Sequence, residues 1–213
     1  MNMNFRASHR LGSKVLALSI PALLAASPAS AHHMMDGEMP QTFVQGLLSG
    51  LGHPVIGFDH LAFIIAVGLA AGLVGRSLVL PAAFVLATIA GVLVHMAAFD
   101  LPLAELVIAL SVVIAGGLIV SETELPAGAW AVLFAIAGLF HGYAYGESII
   151  GAEPAPLYAY FIGFAVIQFA IASLAMMLTN PKTAAVSTPL TARLVAAGIV
   201  GVGFSAIGSQ LFG

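Results

Sequence analysis

VIGFDHLAFIIAVGLAAGLV, residues Val55–Val74, decides the fold class. Its length matches the ~20 residues a helix needs to cross the ~30 Å hydrocarbon core of a bilayer. Asp59 and His60 are its only ionisable residues, and everything from Leu61 to Val74 is apolar. The run does not alternate apolar with polar residues, as a barrel strand must. Similar segments recur at 78–99, 102–120, 127–149, 156–179 and 190–212. Between them lie Gly75-Arg76-Ser77, Asp100-Leu101-Pro102, Ser121 to Pro126, Glu153-Pro154-Ala155-Pro156 and Asn180-Pro181-Lys182. Of the 213 residues 61% are hydrophobic and 7% charged, and mean hydropathy is +1.08. A soluble domain carries about 25% charged residues, so this chain cannot coat a globule with water-facing groups. In lipid every backbone polar group must be satisfied internally, which leaves helices. The expected fold is all-α, a polytopic membrane helix bundle of about six transmembrane helices after a cleaved signal peptide.

Upstream, Gln41 to Leu51 forms a short amphipathic stretch, expected to lie at the membrane interface or enter the bundle. Residues 1–31 read as the signal peptide. Arg6, Arg10 and Lys14 precede the short apolar core Val15 to Ala26, and Ala29-Ser30-Ala31 supplies small residues for cleavage. The expected organisation is therefore signal peptide 1–31, periplasmic segment 32–54 and membrane domain 55–213. A mature chain starting at His32-His33 would place a free amine beside an imidazole, a pair able to chelate a divalent ion. The other reading of these residues is a plain tail. A cleaved signal puts the mature N-terminus outside, so Arg76, Lys182 and Arg193 fall in or beside cytoplasmic loops, as the positive-inside rule asks. Both mature termini are then periplasmic, in a bacterial inner membrane.

Composition also removes function classes. Without cysteine there is no disulfide, iron–sulfur cluster or thiolate metal site, leaving nitrogen and oxygen donors for any metal chemistry. A net charge of −3 gives no basic surface for nucleic acid. No glycine-lysine phosphate loop occurs, so any transport is secondary or driven by a partner.

Ionisable groups inside a span cost roughly 2.5–3.5 kcal/mol each on insertion scales, and so mark sites or pathways. Here they are His53, Asp59, His60, His95, Glu105, His141 and Glu147. With the topology above all seven fall in the periplasmic half. Pro54 suits a helix's first turn, which would put His53 at the cap and His60 two turns inside. On a straight helix the two histidines then sit about 10 Å apart along the axis, too far for one ion unless Gly52 or Gly57 breaks it. Gly138, Gly142 and Gly146 form a small-residue ridge for close helix approach. His141 and Glu147 lie near it, and Asp59 with Glu147 would offset a divalent charge. Tyr143 and Tyr145 read as interfacial aromatics, and Gln168 as an interhelical hydrogen-bonding residue. His95 also reads as a satisfied interhelical histidine, and Glu105 as an interfacial carboxylate.

Two stretches, His53-Pro54-Val55-Ile56-Gly57-Phe58-Asp59-His60 and Phe140-His141-Gly142-Tyr143-Ala144-Tyr145-Gly146-Glu147, resemble the motifs of the HupE/UreJ family of nickel/cobalt permeases. The resemblance covers essentially the whole chain. It implies a secondary permease rather than an enzyme, with nickel or cobalt as cargo and no tightly bound cofactor. It further implies His53, Asp59, His60, His141 and Glu147 as the metal-handling residues, and supply of a nickel enzyme such as hydrogenase or urease. His32, His33, His95 and Glu105 are further candidates. Metal binding requires neutral histidines, so uptake is expected to weaken below about pH 6, given an ordinary histidine pKa of ~6.5. Two rivals remain open: a b-type haem electron carrier using His60, His95 and His141, and a metal-binding accessory that does not transport.

Overall fold

A computed structural model describes residues 39–75, 77–179 and 188–212. The expected signal peptide, the His32-His33 pair, Arg76 and Lys182 lie outside the described residues. Within them the chain is all helical: α1 (Phe43–Ile56), α2 (Phe58–Leu73), α3 (Val79–Met96), α4 (Ala104–Val120), α5 (Ala127–Gly146), α6 (Pro154–Met176) and α7 (Leu190–Phe212). The breaks fall where the sequence places turn formers, with Pro126 capping α5 and Pro154 opening α6.

The six expected spans map onto α2–α7, but not all are full crossings. α3, α5, α6 and α7 are long and apolar enough on their own. α4 is apolar but has 17 residues, about 26 Å at 1.5 Å per residue. α2 is shorter again and qualifies only together with α1, from which it is bent by 80°. By length and composition the described residues thus hold four helices able to cross a membrane, or five with the bent pair counted as one span.

That pair corrects the expectation for Pro54, which lies inside α1 near its end and not in a first turn. α1 starts at Thr42, whose hydroxyl accepts from the Gln45 amide at 3.2 Å while the Gln45 side chain accepts from the Thr42 amide at 3.1 Å, a reciprocal capping box. Pro54 then removes one ladder donor, and at Gly57 the backbone turns extended (φ −71°, ψ 103°). The Leu61 amide donates to the Gly57 carbonyl at 2.8 Å and α2 sets off in its new direction.

Close approaches through small residues assemble the bundle, as lipid-embedded helices require. α1 enters the bundle and packs on α6: a methyl on Gly46 would strike the Pro156 carbonyl, and one on Gly50 the Tyr160 carbonyl. Gly68 and Gly72 bring α2 onto Ala172 and Thr179 at the end of α6. Along α5, Gly138, Gly142 and Gly146 face Phe84, Thr88 and His95 of α3, so the expected glycine ridge is an α3–α5 seam. Gln168 of α6 donates to Thr88 Oγ1 at 3.4 Å and to its own helix at Phe164, the interhelical role foreseen for it. Inside, Phe63, Phe84, Trp130 and Phe134 form an aromatic layer across α2, α3 and α5.

Candidate metal-handling site

The break between α1 and α2 builds the site. Because the chain turns at Gly57, His53 at the end of α1 and His60 at the start of α2 come together with ring centroids 6.0 Å apart. The broken-helix alternative holds, and the two-station spacing of a straight helix does not. Gly57 matters here for its missing side chain. A methyl there would sit 2.6 Å from His60 Cδ2 and 3.3 Å from Asp59 Oδ1.

His141, from the last turns of α5, reaches the same point. Its Nδ1 lies 2.8 Å from His60 Nδ1, and its Nε2 lies 3.0 Å from Ser111 Oγ on α4. Ser111 in turn donates to the Ile108 carbonyl at 2.7 Å. Below, Phe63 stacks on the His141 ring at 4.5 Å, with Phe84 edge-on at 6.0 Å. His60 and His141 are both buried. The cluster therefore packs on the aromatic layer through His141.

Tyr145 is not an interfacial aromatic. It is fully buried, with its ring 4.6 Å from His60, 5.1 Å from His53 and 5.8 Å from Phe164. Tyr143 does lie at the edge, its hydroxyl 3.4 Å from Asp100 Oδ1. On the other flank His53 Nδ1 is 3.0 Å from Ser148 Oγ, which contacts the Tyr160 hydroxyl at 3.1 Å. Tyr160 donates to the Tyr145 carbonyl at 2.9 Å. A belt of hydroxyls thus holds the histidine rings in place.

Three carboxylates lie at helix ends near this core. Asp59 Oδ1 accepts the His60 backbone amide at 2.8 Å. Glu147 stands at the end of α5, exposed, and Glu105 in the first turn of α4, also exposed. The charges of Asp59 and Glu147 both reach His60 and both reach Glu105. His95 stays apart from the histidine cluster, packed on Tyr143 at 4.2 Å with its Nδ1 buried. Among the described residues no three of these side chains converge on one point at metal-ligand distance. The opposite end of the bundle is held differently: Arg193 of α7 pairs with Glu122 after α4 at 2.5 Å.

Three contributors escaped the sequence reading. Ser111 is the one hydroxyl in the apolar run of α4, and that isolation was its only signal. Ser148 directly follows Glu147 in a quoted motif but carried no assigned role, and Tyr160 was indistinguishable from an interfacial tyrosine.

Comparison with known proteins adds two findings. The family model described as HupE / UreJ protein matches residues 20–206. Protein HupE of Rhizobium leguminosarum bv. viciae is 34% identical over 130 residues, which is 60% of this chain and 64% of that relative. The match thus spans less than two thirds of the relative's own length. No solved structure matches the chain.

Proposed function

From the premise that this chain belongs to the HupE / UreJ protein family, we propose that it is a secondary permease for a divalent transition-metal ion, nickel or cobalt. The observation that carries the reading is the meeting of His53, His60 and His141, from three different helices, with the charges of Asp59 and Glu147 acting on His60 and on Glu105. A structural histidine pair gives no reason for three carboxylates at the same end of the bundle. Imidazole and carboxylate suit borderline divalent ions, and the negative charges attract a hydrated cation and offset its charge as water is shed. Such donors would also hold copper or zinc, so the choice of nickel or cobalt rests on the family and on geometry imposed during transport.

The path runs from the carboxylate-rich end, which faces the periplasm of a bacterial inner membrane. Glu147, Glu105 and Asp59 collect the ion and His60, with His53 and His141 around it, binds it. The aromatic layer of Phe63, Phe84, Phe134 and Trp130 must then part for release on the cytoplasmic side, towards a nickel enzyme such as hydrogenase or urease. The haem alternative fits less well: His60 and His141 are in direct hydrogen-bond contact, with no room for a macrocycle between them, and His95 packs elsewhere.

The test is uptake of radiolabelled nickel and cobalt by metal-starved cells expressing the protein, beside His60→Ala and Glu147→Gln at matched membrane levels. Uptake by the wild type that both substitutions abolish is the expected result. A well-inserted wild type that moves neither metal overturns the permease reading and leaves a non-transporting metal-binding role.

A further inference from the structure

The direction of the hydrogen bonds around His141 follows from where Ser111 places its proton. A carbonyl cannot donate, so the 2.7 Å contact from Ser111 to the Ile108 carbonyl uses the single hydroxyl proton of Ser111. The 3.0 Å contact between Ser111 Oγ and His141 Nε2 must then be made by a proton on His141. A neutral imidazole carries one N–H, so with Nε2 protonated the Nδ1 of His141 is an acceptor. Its partner at 2.8 Å is His60 Nδ1, which must therefore be the donor. With both rings neutral, as metal binding requires, His60 is left with its lone pair on Nε2. Both nitrogens of His141 are committed, whereas His60 Nε2 makes no hydrogen bond among the described residues. That edge of the His60 ring borders the bare Cα of Gly57 at the helix break, where Cδ2 is the nearest atom to any added methyl.

We infer that His141 is a positioning residue and that Ser111, through it, fixes the tautomer in which His60 presents Nε2 to the metal ion. The inference rests on the permease reading for the identity of the ion. Metal-bound histidines characteristically donate their other N–H to a fixed acceptor, which sets tautomer and ring orientation. Here that acceptor is a second histidine, itself anchored by a serine on a third helix. The arrangement also accounts for the lack of three converging ligands among the described residues, since His141 faces His60 and not the ion.

The experiment is ¹⁵N NMR of the full chain labelled at histidine, in lipid nanodiscs, first without metal. His141 is expected protonated at Nε2 and His60 at Nδ1, and the reverse pattern at either ring overturns the proposal. Zinc added as a diamagnetic probe should shift His60 Nε2 and leave His141 Nε2 protonated; zinc on a His141 nitrogen also overturns it. In cells, Ser111→Ala should raise the nickel concentration for half-maximal uptake about 10–100-fold, and Ser111→Thr, which restores a hydroxyl, should bring it back. Ser111→Ala with wild-type uptake and unchanged tautomers refutes the role of Ser111. If the expected tautomers occur but wild-type cells take up no nickel, the permease reading fails while the tautomer assignment stands.

Discussion

Replacing Gly142 by alanine tests whether the α3–α5 seam sets the geometry of the histidine cluster. A methyl at this position would lie 2.6 Å from both the carbonyl carbon and Cα of Thr88, where ordinary contact starts at 3.4 Å. The obstacle is backbone, so no side chain can swing aside. The Thr88 carbonyl oxygen lies closer still, so the helices must separate by more than the roughly 0.8 Å between those distances, and overpacking of this kind costs about 1–3 kcal/mol. Alanine regains roughly 1 kcal/mol in helix propensity, so a net loss of about 0–2 kcal/mol is expected. The functional effect should be larger. His141 precedes Gly142 on α5, so a shift of α5 away from α3 carries that ring with it and disturbs its 2.8 Å contact with His60. Thermal unfolding of purified protein and nickel uptake are measured beside Gly117→Ala and Gly198→Ala, where the added methyl meets nothing within 4 Å. Gly142→Ala should unfold at lower temperature and lose uptake about 10–100-fold, while both controls match or exceed the wild type in stability. A Gly142→Ala protein indistinguishable from Gly117→Ala would refute the reasoning.

Gly57→Ala should weaken nickel uptake with little loss of stability. Its methyl presses on the movable His60 ring edge and not on backbone, so half-saturation rises while the thermal midpoint holds within a degree or so of the wild type, by the usual tolerance of adaptable sites. Gln168→Leu removes the bridge to Thr88 and should cost only about 0.6 kcal/mol, typical of interhelical hydrogen bonds in membranes; a loss of uptake without a change in stability would mean Gln168 has a transport role. Arg193→Gln and Glu122→Gln break a partly exposed pair, and a double-mutant cycle on unfolding should return about 0–1 kcal/mol of coupling. A much larger coupling would show the pair to be a latch and not a surface contact.

Much of this was legible in the chain because the deciding signals are local. Fourteen consecutive apolar residues after His60 declare a buried or membrane helix whatever surrounds them, and Pro126 and Pro154 mark helix starts by their own geometry. The Gly138-Gly142-Gly146 ridge was equally visible, since its spacing is a property of one helix; that its partner is α3 was not. Gly46 and Gly50 carry the same four-residue spacing in α1 and pack α1 on α6, yet the polar flanks of that segment concealed it as an interface. Pro54 misled for a related reason. Proline is compatible both with a first turn and with the last turn of a preceding helix, and only the packing of α1 against α6 selects the second.

The histidine site shows what spacing along a chain cannot supply. His53 and His60 are seven residues apart, and on any unbroken helix that interval forbids a common ion. The candidates Gly52 and Gly57 offered two possible breaks with different outcomes, since a break at Gly52 would leave both histidines on one straight segment. The break falls at Gly57, between them, and it alone turns two stations into one cluster. His141 meets His60 at this point, but its role depends on which atoms it faces. The direction of the relay is decided by Ile108, an apolar residue whose carbonyl takes the Ser111 proton and thereby dictates the tautomers of two histidines on other helices. No pattern of residue types records a backbone carbonyl's demand for a proton. The chemistry of the site is therefore written partly in the main chain, and a change that freed that hydroxyl to donate to His141 would reverse the relay, leaving His60 Nδ1 an acceptor and its Nε2 protonated.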